Sequence, residues 1–140
     1  IQAAIGLGQL EHIDQIVKLK RDLGFYYIDK LKNIPGLKTQ TEKYGCKTVF
    51  WMYGFQMHDS ISKTAKDVIH GLNERGIGTR PFFKGMHLQP ALKNKIRIIG
   101  NYPITEAARK FGLYLPSGMT LDYKNIDHVI KSLKEVLACQ

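Results

Sequence analysis

Cysteine is scarce in this sequence: Cys46 and Cys139 are the only two, and they lie far apart. Two isolated thiols exclude a disulfide framework or a cysteine-built metal cluster. The setting expected from them is reduced and cytoplasmic. Long apolar runs are also missing, since nothing approaches the roughly 18 consecutive apolar residues that a membrane span requires. The apolar first residues lack the basic flank and cleavage site of a secretory leader. Acid is in deficit, with 12 Asp and Glu against 21 Lys and Arg, a formal charge of +9. That balance favours anionic partners such as nucleic acid, a nucleotide, a phosphorylated cofactor or an acidic protein. A glycine-rich phosphate loop is absent, because Gly6-Leu7-Gly8 has neither a third glycine nor a preceding strand. His12, His58, His70 and His128 are scattered without ligand spacing, which argues against a metal site. Ser117 lacks the strand-to-helix turn of a hydrolase nucleophile, and no catalytic triad or carboxylate pair can be assembled.

What is present is an ordinary folding sequence: 140 residues, 44% hydrophobic and 24% charged, enough for one core. From Gln2 to about Asn33, apolar residues at three- and four-residue spacing (Leu10, Ile13, Val17; Ile16, Leu19, Leu23, Tyr27, Leu31) predict one long helix. Pro35-Gly36 ends it. Gly6 and Gly8 each weaken a helix interior by roughly 1 kcal/mol relative to Ala. With Ala3 and Ala4 they leave a side-chain-poor surface suited to close approach by another backbone or subunit, or else they mark a frayed start to the helix. The chain opens on Ile1 rather than Met, and inside a helix, so a longer parent polypeptide is expected. Thr48–Met57 reads as a strand covered on both faces. Ser62 is placed to cap a helix carrying Ala65, Val68, Ile69 and Leu72, with Gly76 in the left-handed position at its end. Ile77–Phe83 is expected as a second strand at a sheet edge, because Pro81 has no N–H to give a ladder. Pro103 opens a helix closed by Gly112. Leu113–Leu115 forms a third strand, and a last helix from about Thr120 carries Ile126, Val129, Ile130, Leu133, Val136 and Leu137 on one stripe. The fold expected is α/β, more narrowly α+β: a long helix over residues 1–35, then a unit over 36–140 with a three-stranded sheet packed by helices.

The segment Gly76–Pro90 concentrates the chemistry. Arg80 offers a planar, permanently charged donor fork that suits phosphate or carboxylate. Phe82 and Phe83 alternate, so one of them at most faces a core. His87 adds an imidazole within the same eight residues. An exposed ring beside a cation is a stacking platform for a base or sugar face; the bland alternative buries both rings and pairs Arg80 with a surface acid.

Beyond these residues, several motifs fall in one order and spacing. They are Gln2-Ala3-Ala4-Ile5-Gly6 with Gln9-Leu10-Glu11, Pro35-Gly36-Leu37, Trp51-Met52-Tyr53, and Gly76-Ile77-Gly78-Thr79-Arg80. His87-Leu88-Gln89-Pro90, Tyr102-Pro103-Ile104-Thr105-Glu106 and Leu113-Tyr114-Leu115-Pro116-Ser117 complete the set. Together they resemble the C-terminal part of the DegT/DnrJ/EryC1/StrS family of pyridoxal-phosphate-dependent sugar aminotransferases, over nearly the whole chain. Arg80-Pro81-Phe82-Phe83 with Met86-His87 is most similar to the GDP-perosamine synthase type, except that Gly85 stands where proline is usual.

The resemblance implies the small C-terminal domain of a fold-type-I aminotransferase, and a homodimer with active sites at the subunit interface. The reaction it implies moves an amino group from glutamate to a nucleotide-linked 4-keto-6-deoxy sugar, with pyridoxal 5'-phosphate as cofactor. The Schiff-base lysine and most of the cofactor seat would lie in a large N-terminal domain upstream of Ile1, so no catalytic residue is expected here and the bare chain is expected to be inactive. The family's dehydratase branch differs at that same lysine. By carry-over, Arg80, Phe82, Phe83, Lys84 and His87 form a wall of the nucleotide-sugar site, and Ile1 and Gln2 lie near the cofactor phosphate. No metal is implied. Two other readings compete: a basic nucleic-acid-binding module, and a dimerisation or regulatory piece. The spread of the basic residues away from the aromatics argues against the first.

Overall fold

The computed structural model describes residues 1–92, 95 and 97–138; Cys139 lies outside them. The first helical stretch is divided, into α1 (Gln2–Leu10) and α2 (Ile13–Leu31). The division falls at His12, whose backbone (φ −112°, ψ 10°) leaves the helical region. Helices need tertiary burial as well as periodicity. No residue of α1 is buried, whereas α2 buries Leu23, Gly24, Tyr27 and Leu31. Side chains along α1 are therefore held by nothing among the described residues, and the run expected as one helix becomes two.

Four strands follow rather than three: β1 (Leu37–Thr39), β2 (Tyr53–Met57), β3 (Arg80–Pro81) and β4 (Gly112–Leu115). They form one antiparallel sheet in the order β1-β2-β4-β3. β1, three residues long, was too short to show an alternation. β3 lies at the edge as Pro81 requires, and is much shorter than the expected Ile77–Phe83. β2 keeps only the second half of Thr48–Met57. The first half turns away because Phe50 adopts φ +46° and buries its ring against α2 at Gly24, where any Cβ would overlap it. A side chain at positive φ is unusual, and here several tethers hold the loop. Arg21 Nη1 and Nη2 donate to the Glu42 carboxylate at 2.6 and 3.3 Å, and Nη1 also to the Thr48 carbonyl. Lys20 Nζ donates to the Trp51 carbonyl at 3.0 Å. Burial pushes the Lys20 ammonium pKa below its ordinary value.

The remaining helices are α3 (Ala65–Asn73), α4 (Pro103–Phe111) and α5 (Tyr123–Ala138). The cap of α3 is Thr64, not the expected Ser62. The Thr64 hydroxyl accepts from Asp67 N–H, and the Asp67 carboxylate accepts from Thr64 N–H at 2.8 Å, a reciprocal capping box. The Thr64 hydroxyl, which lies 2.7 Å from the Asp67 carboxylate and donates to it, and then the Thr64 N–H hold the Asp67 carboxyl below its ordinary pKa. Gly76 takes φ +74° after the helix, as expected. Pro103 opens α4 and Gly112 closes it.

Strand alternation sorts the sheet into two faces. Tyr53, Phe55 and Met57 of β2 with Leu113 and Leu115 of β4 join the core against α2, α3 and α5. Leu23, Tyr27, Val68, Leu72, Ile126 and Leu133 are its helical half. Register places Gly54 opposite Tyr114, Gln56 opposite Gly112, and Arg80 opposite Tyr114 on the other face. That second face positions the candidate site. No helix among the described residues is long and apolar enough to cross a membrane.

Candidate functional site

The outer face of the sheet is bare at two points, Gly54 and Gly112. Phe82 fills the space: a Cβ on Gly54 would stand 2.7 Å from Phe82 Cε1, and one on Gly112 would overlap the ring. The Phe82 ring also lies 4.6 Å from that of Tyr114, and its carbonyl accepts from Arg109 Nη1. Phe82 therefore works as packing that fixes the chain leaving β3. Phe83 is 69% exposed, with its ring 5.9 Å from Tyr114. The two phenyls divide, one packed and one presented to solvent, although both lie past the end of β3 and beside Tyr114, so it is the space at Gly54 and Gly112 that sorts them. Arg80 is exposed on the same face beside Tyr114. No carboxylate pairs with it among the described residues.

Past Phe83 the chain enters a 3-10 turn, Met86–Leu88, and forms a cleft of about 560 Å³ against the start of α4. Phe83, Lys84, His87, Arg97, Tyr102 and Thr105 line it. Two cations and two aromatic rings converge there, a combination suited to an anionic ligand with a flat face. The His87 imidazole is enclosed, with its side chain 12% exposed. Its Nε2–H donates to Glu106 Oε1 at 3.1 Å, because a carboxylate can only accept. Its ring lies 4.7 Å from Tyr102. The Tyr102 hydroxyl donates to the Ile99 carbonyl at 2.7 Å.

The structure thus brings Phe83, Lys84 and His87 to one cleft and leaves Arg80 and Phe82 on the adjoining sheet face, joined to it through Tyr114. Ile1 and Gln2 open α1, are exposed, and line none of these surfaces. Tyr114, Arg97, Tyr102 and Glu106 were missed as site residues. Tyr114 was readable from alternation between two core leucines, and Glu106 from its four-residue spacing to Tyr102. Arg97 sits in a connection without periodicity, so no local signal marked it.

A larger hollow, about 740 Å³, opens between the β1–β2 end of the sheet and α4. Its walls include Lys38, Met57, His58, Ile104 and Phe111. It carries one lysine, Lys38, together with the carboxylate of Asp59, and offers Phe111 and the 84% exposed Ile104 beside them. The smaller cleft has the convergent charge and aromatic faces that recognition of an anion needs, so it is the candidate site. Among the described residues no group of three or more His, Cys, Asp or Glu could hold a metal ion. Pyridoxal phosphate needs a lysine together with an acid for its ring nitrogen. Among the described residues Lys84 lines the cleft and no carboxylate does, so the described lining of this cleft does not by itself compose that seat.

Comparison with known proteins agrees with this architecture. Residues 1–134 match the DegT/DnrJ/EryC1/StrS aminotransferase family. The GDP-perosamine synthase of Caulobacter vibrioides is 35% identical over 138 residues, covering 98% of this chain and 37% of that protein. The GDP-perosamine synthase of Escherichia coli O157:H7 is 33% identical over 138 residues, covering 96% and 35%. Among solved structures, the aminotransferase TlmJ from Streptoalloteichus hindustanus superposes with a TM-score of 0.84 at 25% identity, over 97% of this chain and 36% of its own. The E. coli GDP-4-keto-6-deoxy-D-mannose-3-dehydratase, solved with hydrated PLP, gives 0.81 at 26%, over 93% and 34%. The chain therefore spans little more than a third of the length of these relatives. With a match running from Ile1 through most of α5 and the same fold in solved members, this chain belongs to the DegT/DnrJ/EryC1/StrS aminotransferase family.

Proposed function

We propose that this chain is the C-terminal domain of a pyridoxal-phosphate-dependent aminotransferase that moves an amino group from glutamate to a nucleotide-linked 4-keto-6-deoxy sugar, GDP-linked as in the perosamine synthases it is similar to. The observation that carries the reading is the convergence of Lys84, Arg97, Phe83 and Tyr102 on one cleft in a member of this family. The bound cofactor would supply the electron sink for amino transfer. Residues of this chain would bind and orient the sugar nucleotide. Lys84, Arg97 and the neighbouring Arg80 would neutralise the diphosphate, the exposed Phe83 face would stack on a ring, and Phe82 would hold the segment to the sheet. The Schiff-base lysine and the acid for the cofactor ring would come from chain beyond these residues, and the whole enzyme would act as a homodimer in the cytoplasm.

Kinetics of the intact enzyme test this. A guanidinium on a diphosphate makes charge-assisted bonds of about 1.5–3 kcal/mol, so Arg80→Ala and Lys84→Ala are expected to raise the sugar-nucleotide KM roughly 10- to 100-fold. The glutamate KM should stay within about twofold in both variants. Unaltered sugar-nucleotide kinetics in both variants would remove this face from the site. For the 140 residues alone, adding pyridoxal phosphate and borohydride should give no adduct at any one preferred lysine; a single modified lysine found by peptide mapping would contradict the division of labour.

A further inference from the structure

The motif Trp51-Met52-Tyr53 and the Pro116-Ser117 end of the β4 motif take no part in the candidate site, yet the fold brings them together. Tyr53 opens β2 opposite Leu115, the last residue of β4, so both stretches meet beside α2. Lys20 and Tyr27 reach them from that helix. Lys20 Nζ donates to the Trp51 carbonyl at 3.0 Å and to the Ser117 carbonyl. The Tyr27 hydroxyl donates to the Pro116 carbonyl at 2.9 Å.

Tyr53 is the member left over. It is 1% exposed, and among the described residues its hydroxyl has no hydrogen-bond partner. Buried polar groups in folded proteins are nearly always satisfied, by protein or by ordered water, because an unmade bond costs the full desolvation of the group. Burial holds the phenols of Tyr53 and Tyr27 above their ordinary pKa, so Tyr53 keeps its proton and needs an acceptor. Tyr27 cannot take that proton directly. The two rings are stacked, 4.5 Å apart and 11° from parallel. Each phenol oxygen is fixed on its ring axis, so bringing the oxygens together would break the stack.

Tyr53 borders a small hollow of about 10 Å³, lined also by Lys20, Leu23, Tyr27, Phe50 and Ser117. That is room for one water. Three polar groups with unspent capacity border it: the Tyr53 O–H, the third N–H of the Lys20 ammonium, and a lone pair of the Tyr27 oxygen. An ion fits worse. Lys20 repels a cation, and the carbonyls that Lys20 and Tyr27 already bind repel an anion.

We propose that this hollow is the binding site of a single structural water, which accepts from the Tyr53 hydroxyl and the Lys20 ammonium and donates to the Tyr27 oxygen. Three bonds are the usual complement of a buried water. With Lys20 the water forms one clasp, tying α2 to the chain entering β2 and to the chain leaving β4. Phe50 borders the same hollow, so the clasp also seats the loop that carries Trp51. None of these residues lines the candidate cleft, and the site stands independently of the nucleotide-sugar reading.

A crystal structure of the intact enzyme, at a resolution that shows ordered solvent, tests the site directly. One density peak is expected within about 3.2 Å of Tyr53 Oη, Lys20 Nζ and Tyr27 Oη, without anomalous signal in crystals grown in bromide. No peak there, a Tyr53 hydroxyl bonded directly to a protein atom, or bromide at the peak each overturns the proposal. Thermal unfolding of the intact Y53F variant is the second measurement, since Phe keeps the stacked ring and removes only the hydroxyl. Losing one water-bound O–H should lower the transition midpoint by about 2 °C. A hydroxyl without a partner is a cost that Phe removes, so a midpoint at or above that of wild type also overturns the proposal.

Discussion

Placing a methyl at Gly24 is expected to expose the tension between α2 and the loop that Phe50 anchors. Gly24 is buried in α2, and a Cβ there would overlap the Phe50 ring. Phe50 is 2% exposed, lies 5.2 Å edge-on from Phe25, and is held at φ +46°. Two opposed effects meet in Gly24→Ala. Helix propensity favours Ala over Gly by about 1 kcal/mol, whereas forcing a methyl into a filled space costs about 1–3 kcal/mol. The net change alone is therefore small and uninformative, and a double-mutant cycle is the right measurement. Phe50→Ala should lose about 3–5 kcal/mol through the cavity it leaves. In that background Gly24→Ala no longer meets a ring, so only the propensity gain of about 1 kcal/mol remains. The coupling between the two sites, read from urea midpoints and slopes of the four proteins, should be at least about 1 kcal/mol in favour of the double variant. Additive effects would mean that Phe50 does not fill the space at Gly24, and the account of why β2 starts late would fail.

Other outcomes follow from the same structure. Thr64→Ala should lose about 1 kcal/mol of stability by removing the α3 cap, while Ser62→Ala, at the position suggested by sequence, should change nothing measurable in thermal unfolding. Asp67 and Glu42 both have carboxyls held below their ordinary values of 3.8 and 4.5, the first chiefly by the Thr64 hydroxyl, the second chiefly by Arg21. Such depressed groups stabilise the fold above their unfolded pKa and lose that contribution as pH falls through the folded one. Urea midpoints should therefore be flat from neutrality down to about pH 5 and fall below it, with a shallower fall in D67N. Leu133→Ala, at a fully buried position of α5, should lose about 2–5 kcal/mol by differential scanning calorimetry.

Much of the fold was legible because burial and periodicity agreed. The stripe Ile126, Val129, Ile130, Leu133, Val136 and Leu137 predicted α5; the first five are buried and Leu137 is half-buried against the core. Pro81 marked a sheet edge and Pro103 a helix start, each through its missing N–H. Sequence failed where a tertiary contact overrode local pattern. The apolar run Thr48–Met52 looked like strand but became a plug, since its partner, the side-chain-free surface at Gly24, lies far away in the chain. The site was legible as a segment rather than as a shape. Lys84, His87 and Phe83 line one cleft, but the division of Phe82 to packing depended on Gly54 and Gly112, which meet only through β2–β4 pairing. The hydrogen bond that holds His87 required Glu106, nineteen residues on.

The outermost strands of the sheet are three and two residues long, β1 and β3, and the shorter contains Pro81. A proline imide cannot offer its nitrogen to an incoming strand, and so short a rim gives a foreign segment little to align with. The sheet thereby offers little for growth at its borders, least at β3. A copy or companion domain that joins this one finds in side chains, on its helices or its open face, a broader purchase than either rim of the ladder.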